Sequence, residues 1–302
     1  MTALRHRFLQ DLQLAGFAER TCEAYVRAVR QLADHYRQSP DRLNEAQVRD
    51  FFSELKNGRG FAPGSLKIAY SGIKFFFRRT VPRDWKTLET LRVPPEKKLP
   101  DVLTVDEVRR LIAAIRMEQS RTCLWTIYSL GLRLSEGTSL QVGDIDAARS
   151  FVHIHRGKGS VDRYVPLPAS TLDALRHYWT THRNPRLLFP ALGRGRTQGH
   201  SATEPVPIAT IQGTFRRVVA QVGIQKRVSV HTLRHSYATH LLETGVNLRL
   251  IQKYLGHKSL QTTTIYLHLT RHGEEHAHAQ IDALMAGSLF ESTEASGRDE
   301  TP

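Results

Sequence analysis

The run HTLRHSYATHLL at residues 231–242, continued by LGHKSLQTTTIY at 255–266, carries more of this chain's character than any other. Three helices are expected across it, over 231–245, 247–255 and 259–269, with Gly245 and Gly256 as stop signals. Within the first, His231, Arg234 and His235 fall in one turn, and Arg234 shares a face with His231. The second ends at Leu255-Gly256-His257, and Tyr266 follows nine residues after His257. The polar groups concentrated here are a phenol, imidazoles and a guanidinium. No acidic pair lies nearby, nor a G-x-S-x-G elbow, nor a phosphate-cradling loop of the P-loop type. His231 and His235 have the i, i+4 spacing of helical zinc ligands, but Thr232 stands where H-E-x-x-H needs its glutamate. Arg234 between them would oppose a metal cation, so no metal is expected.

Upstream, FVHIH (151–155) and RYVPL (163–167) are short alternating runs around RGKGSVD, which reads as a β-hairpin with a glycine-rich tip. Lys158 stands at that tip between Gly157 and Gly159, placed either to reach into a groove or to remain a solvated loop lysine. GLRLSEG (131–137) puts Arg133 where a turn meets a new helix N-terminus, a position whose unpaired N–H groups favour anions. Arginines near turns are also common on plain surfaces. Further helices are expected at about 169–182 and 208–222, and Thr104 with Glu107 forms a capping box that opens another, stapled by Leu103 and Val108.

Before that box, LRVPPEKKLP (91–100) holds three prolines and two lysines, the composition of a stiff, extended connector. It separates a domain at 1–90 from one at 101–286, and the polar residues 287–302 are expected to be disordered. The first domain reads as helices. Thr21 is expected to cap one whose Cys22, Tyr25, Val26, Val29, Leu32, Ala33 and Tyr36 share a face. Asn44 starts a second, with Leu43 and Val48 at staple spacing and Gly58 beyond its end. A third runs over about 63–79, with proline in its first turn. Its Lys67, Ser71, Lys74 and Arg78 share one face, opposite much of the Ile68/Ile73/Phe76 side. That face suits a helix laid along a DNA groove, or an ordinary wet surface.

At 302 residues the chain exceeds the size at which one core keeps growing, which favours two domains. With 40% hydrophobic and 24% charged residues it is globular in composition. No run approaches the roughly 18–20 apolar residues that span a bilayer, and the N-terminus lacks the apolar stretch of a secretory signal. Cys22 and Cys123 alone make no disulfide framework, so a reducing cytoplasm is expected. Lys and Arg number 43 against 29 Asp and Glu, a net charge of +14 that calls for a polyanionic partner.

The blocks GLRLSEG, RGKGSVDRYVPL, HTLRHSYATHLLETG and LGHKSLQTTTIY resemble, in order, the successive signature blocks of tyrosine recombinases, the phage integrase family. With the helical N-terminal region matched to the family's core-binding domain, the resemblance covers about residues 5–285. It implies a mainly α fold with a small antiparallel β-sheet (α+β): a helical core-binding domain followed by a tyrosine-recombinase catalytic domain. It also implies that Arg133 is the first catalytic arginine, Lys158 the hairpin lysine, His231 and Arg234 the H-x-x-R pair, His257 the second histidine and Tyr266 the nucleophile, with Glu136 in support. The pattern departs at Gly137 and Thr138, where apolar residues are usual, and at Leu267, where threonine is frequent.

The activity implied is strand cleavage by Tyr266 on a DNA phosphodiester, leaving a 3′-phosphotyrosyl link and a 5′-hydroxyl. Lys158 would protonate the leaving oxygen, and His231 would act as general base or proton relay. One phosphate ester replaces another, so neither ATP nor any other cofactor is implied. The partners implied are a double-stranded DNA recombination site and a homo-tetramer on two duplexes, in a simple mobile-element or Xer-like enzyme. RHGEEHAHAQIDALMAG (271–287) would supply a final helix, with Ile281, Leu284 and Met285 apolar, docked on a neighbouring subunit or on its own domain. Relaxation of DNA in the manner of a type IB topoisomerase, or DNA binding by an inactive member of the fold, are the alternatives.

Overall fold

The computed structural model describes residues 2–90, 99–155, 162–193, 198–269, 281 and 283. Lys158, most of the connector, the tail and all but two residues of the segment 271–287 lie outside them. Two compact units divide the chain, residues 1–98 and 99–302.

The first unit is built of α1 (Ala3–Leu14), α2 (Glu19–Tyr36), α3 (Glu45–Ser53), α4 (Pro63–Phe75) and the short α5 (Thr87–Thr90). Asn44 opens α3 as a reciprocal cap: its side chain accepts the Gln47 N–H at 2.9 Å, and the Gln47 side chain accepts its own N–H at 3.0 Å. Thr21, by contrast, is not a cap. The chain reverses at Gly16 (φ +75°), and α2 begins at Glu19 with the Ala18 carbonyl taking the N–H of both Thr21 and Cys22. Gly72 lets α4 close on α2, since a Cβ there would lie 2.9 Å from Tyr25 Cα.

α4 buries Leu66, Ala69, Gly72 and Ile73, and Ile68 falls off this stripe to stand 48% exposed, not inside as the pattern suggested. Beyond Phe75 the helix widens into a π turn, Phe76–Thr80, closed by Val81 N–H on the Phe76 carbonyl at 2.9 Å. Phe8, Phe76 and Phe77 meet edge to face around this turn, and Thr80 donates to Asp11 at 2.6 Å.

The second unit comprises α6 (Val105–Ala113), α7 (Glu118–Ser129), α8 (Leu134–Thr138), β1 (Ile145–Asp146), β2 (Phe151–Ile154), β3 (Arg163–Pro166), α9 (Ala169–Thr180), α10 (Ile208–Gln221), α11 (Val230–Glu243) and α12 (Leu248–Leu255). α7 is its axis: Cys123, Leu124 and Ile127 are fully buried, and α8, α9, α10 and α11 all pack on it. The unusual Gly137 serves this packing, because a Cβ there would come within 2.4 Å of Ile127 Cγ1. The strands form one antiparallel sheet in the order β1-β2-β3, with Val152 opposite Val165, His153 opposite Tyr164 and Ile154 opposite Arg163. The fold is thus mainly α with a small antiparallel sheet, as expected. Among the described residues no helix is long and apolar enough to cross a membrane.

The third helix expected at 259–269 does not form as an α-helix. The chain makes two 3₁₀ pieces, Leu260–Thr262 and Thr264–His268. Thr262, Thr263 and Thr264 are a run of β-branched residues with poor helix propensity, and Thr263 is fully buried. The backbone closes i to i+3 instead: Thr263 N–H on Leu260 at 2.7 Å and Tyr266 N–H on Thr263 at 3.1 Å.

Candidate active site

Glu136 lies at the hub of the site. Standing third in α8, it bends back to accept the Arg133 backbone N–H at 2.8 Å and the Arg133 guanidinium at 2.7 Å. Arg163 from β3 grips the same carboxylate with both forks, Nη1 at 3.0 Å and Nη2 at 2.8 Å, and Arg234 Nη1 stands at 3.8 Å. The Glu136 side chain is only 7% exposed, and Arg163 and Arg234 are 4% and 2% exposed. Burial alone would raise this carboxyl, but the hydrogen bonds and charge of Arg163, with those of Arg133, hold it down at about 2.

Backbone carbonyls fix the two buried arginines. Arg234 donates to the Gly131 carbonyl at 2.8 Å and the Leu255 carbonyl at 2.5 Å, while Arg163 Nε donates to the Tyr254 carbonyl at 2.6 Å. Both therefore hold the end of α12, where Gly256 caps the helix in the left-handed region (φ +65°). A Cβ on Gly256 would lie 2.9 Å from Arg163 Cδ, so glycine serves both the turn and the close approach. Burial, reinforced by the charge of Arg133, lowers Arg234 to about 10, which leaves it protonated at neutral pH.

Tyr266 lies on the second 3₁₀ piece, 1% exposed. Its hydroxyl lies within hydrogen-bond distance of His235 Nδ1, at 3.1 Å, and its ring stacks on His257 with centroids 6.4 Å apart. His257 in turn meets Thr263 Oγ1 at 2.9 Å. Burial, then the charges of His231 and Arg234, brings His235 down to about 4. Burial, then Arg234 and Arg133, does the same for His257. Burial raises the Tyr266 phenol, against the pull of Arg234. At neutral pH the set is therefore a protonated phenol between two neutral imidazoles, beside fixed cations. His231 lies in the first turn of α11 with its own side chain exposed at one edge, edge-on to His235 with ring centroids 4.8 Å apart, and partial desolvation, followed by the charge of Arg234, lowers its pKa. The imidazole that touches the hydroxyl is thus His235.

Arg133, Glu136, His231, Arg234, His257 and Tyr266 converge here from α8, α11, the end of α12 and the 3₁₀ turns. Lys158 lies outside the described residues. The sequence reading gives Arg163 no role and weighs His235 only as a zinc ligand. Arg163 had a legible signal, a charge on the inward phase of the strand shared with Val165. In the first unit Lys67 is exposed, Ser71 and Lys74 are half-buried, Lys74 Nζ lies 3.2 Å from the Tyr70 hydroxyl, and Arg78 pairs with Glu89 at 2.9 Å. These four do not form one uniform basic face.

Residues 101–272 match the phage integrase family, and residues 4–87 match the N-terminal SAM-like domain of phage integrases. A putative integrase/recombinase of Sinorhizobium fredii, y4qK, is 37% identical over 270 residues, covering 89% of this chain and 85% of that protein. A tyrosine recombinase of Thermosipho africanus is 33% identical over 263 residues, covering 83% and 89%. In fold, the chain is similar to the Tn1549 transposon integrase in complex with circular intermediate DNA, with a TM-score of 0.71, 16% identity, and coverage of 93% of this chain and 99% of that one.

Proposed function

The chain belongs to the phage integrase family of tyrosine recombinases, and from that membership we propose how its residues cut and rejoin DNA. The enzyme carries out site-specific recombination. Tyr266 Oη attacks a backbone phosphorus; the bond to the 5′-oxygen breaks, and a 3′-phosphotyrosyl link holds the broken strand. Negative charge spreads over the phosphoryl oxygens, and fixed N–H donors aimed at that charge lower the barrier. Arg133 and Arg234 supply those donors, with His231 and His257. Glu136 and Arg163 position them and do not touch the phosphate.

The protons need separate handling. A phenol ionises near pH 10, whereas an alkoxide leaving group resembles hydroxide leaving from water, with a pKa of about 15–16. Lys158 gives its proton to the departing 5′-oxygen. The Tyr266 proton passes to an imidazole, with His235 holding the hydroxyl at rest and His231 next in reach. A hydroxyl on a side chain 1% exposed cannot meet DNA where it stands, so Tyr266 turns outward to attack. Attack by a new 5′-hydroxyl on the phosphotyrosine reverses the steps, and the ester energy is conserved throughout.

Exchange between two duplexes calls for a tetramer on DNA, acting in the cytoplasm as a mobile-element or Xer-like enzyme. The observation that carries the reading is the convergence of Tyr266 with Arg234: the phenol pairs with His235, Arg234's neighbour in α11, while Arg234 leans on the carboxylate that Arg133 grips. A nicked suicide substrate tests it. Wild-type protein should form a covalent protein–DNA adduct, and Tyr266→Phe should form none; an adduct with that variant would remove Tyr266 from the role.

A further inference from the structure

Among the described residues, one group outside the catalytic cluster has the make-up of a metal site. His153, His155 and Asp162 each offer one ligand atom, and these atoms all lie within 4.8 Å of one another. We infer that this outer face of the β2–β3 sheet binds one divalent transition-metal ion of the zinc class.

Strand geometry brings the three together. Positions 153 and 155 are two apart on β2 and its continuation, so both side chains leave the same face of the sheet. Across the ladder His153 faces Tyr164, and one step beyond the last pair, Ile154 with Arg163, His155 comes opposite Asp162. Arg163 does not crowd this face: it points inward with Val165, its guanidinium taken up by Glu136 and the Tyr254 carbonyl.

Both rings are already oriented. His155 Nε2 lies 2.6 Å from Asp144 Oδ1, and the Asp144 side chain is 7% exposed. A buried carboxylate accepting the Nε2–H leaves the lone pair on Nδ1, which is the carboxylate–histidine arrangement that supports metal-bound imidazoles. His153 is stacked on Tyr164, with ring centroids 4.7 Å apart and planes 14° from parallel, and its Nε2 stands 3.6 Å from Asp162 Oδ2. Tetrahedral zinc with bonds of about 2.0–2.2 Å needs its ligands roughly 3.3 Å apart. With every pair within 4.8 Å, no two ligand atoms are more than about 1.5 Å from that spacing. Two imidazoles and one carboxylate leave a fourth position for water, and such a nitrogen-rich set selects zinc, nickel, cobalt or copper over magnesium or calcium.

Calorimetric titration of full-length, chelator-treated protein with zinc chloride, paired with the visible spectrum of the cobalt(II) form, tests the site. One zinc per chain at micromolar affinity or tighter is expected, with cobalt bands of four-coordinate intensity. His155→Ala should weaken binding at least tenfold, and so should His153→Gln, while circular dichroism stays unchanged. Should either histidine variant misfold, Asp162→Asn, at an exposed position, takes its place and must show the same loss. Changing His276 and His278, of the segment 271–287, to glutamine should leave the affinity intact. No stoichiometric binding by the wild type, six-coordinate cobalt bands, or equal affinity in the His153, His155 and Asp162 variants would each overturn the assignment.

Discussion

Glu136→Gln removes one negative charge from beneath three guanidinium groups while keeping the side chain's length and volume. In the folded chain the carboxyl titrates at about 2, against an ordinary value of 4.5. At about 1.36 kcal/mol per pH unit, that difference is worth roughly 3 kcal/mol of stability at neutral pH. The side chain is 7% exposed, so solvent screening discounts this little. Glutamine also turns an N–H donor towards arginines that need acceptors, and leaving buried cations without their counter-ion costs about 3–5 kcal/mol in comparable cases. The expected loss at pH 7 is therefore about 3 kcal/mol or slightly more.

The sign of the pH dependence follows from the direction of the shift. The folded-state pKa lies below the unfolded one, so between about 4.5 and 2 the unfolded chain binds the extra proton. Stability from Glu136 is complete above that window and is lost as the pH falls through it. Urea unfolding followed by tryptophan fluorescence reads this directly, because Trp125 and Trp179 belong to the second unit, whereas Trp85 reports on the first. Wild type should lose stability between about pH 4.5 and 2 more steeply than Glu136→Gln, by up to one proton's worth of slope. A penalty at pH 7 below about 1 kcal/mol, or matching acid slopes, would show that the carboxylate is not the keystone its contacts describe.

Gly256→Ala imposes a left-handed backbone costing about 1–2 kcal/mol and pushes a methyl to 2.9 Å from Arg163 Cδ. Both the melting temperature of the second unit and the adduct yield should fall, and an unchanged melting temperature counts against the close packing. Lys158→Ala should lose strand cleavage on ordinary DNA and recover it on a substrate with a 5′-thio leaving group, which departs without a proton. Failure to recover would take the general-acid role from this lysine. Lys67→Ala should weaken DNA binding and lower the salt slope by about one counter-ion. Lys74→Ala should lower it less, since Lys74 is already tied to Tyr70 at 3.2 Å. An unchanged slope for Lys67→Ala makes that face plain solvated surface.

What the sequence discloses in advance tracks how local each cause is. The caps at Asn44 and Thr104 are legible because donor and acceptor lie three residues apart, and the hairpin because alternation is a two-residue pattern. The π turns that follow α3 (Glu54–Gly58) and α4 (Phe76–Thr80) carry no such signature; each lies beside a core in which Phe8, Phe51, Phe52, Phe76 and Phe77 pack together. Glu136 shows the same limit in the site. Its bond to Arg133 spans three residues and could be read, whereas its grip on Arg163 spans 27 and needs the sheet to exist first. The nucleophile's segment is the least legible and the least secured. The arginines are pinned by carbonyls and a carboxylate, but Tyr266 is held by 3₁₀ hydrogen bonds, one polar contact to His235, the stack on His257 and apolar packing against Ala238, Ile251 and Leu255. Short 3₁₀ turns have weak, local hydrogen bonding and open at low cost. A phenol that must leave a buried site to reach DNA requires such a segment, and a regular helix over 259–269 would have held it in place.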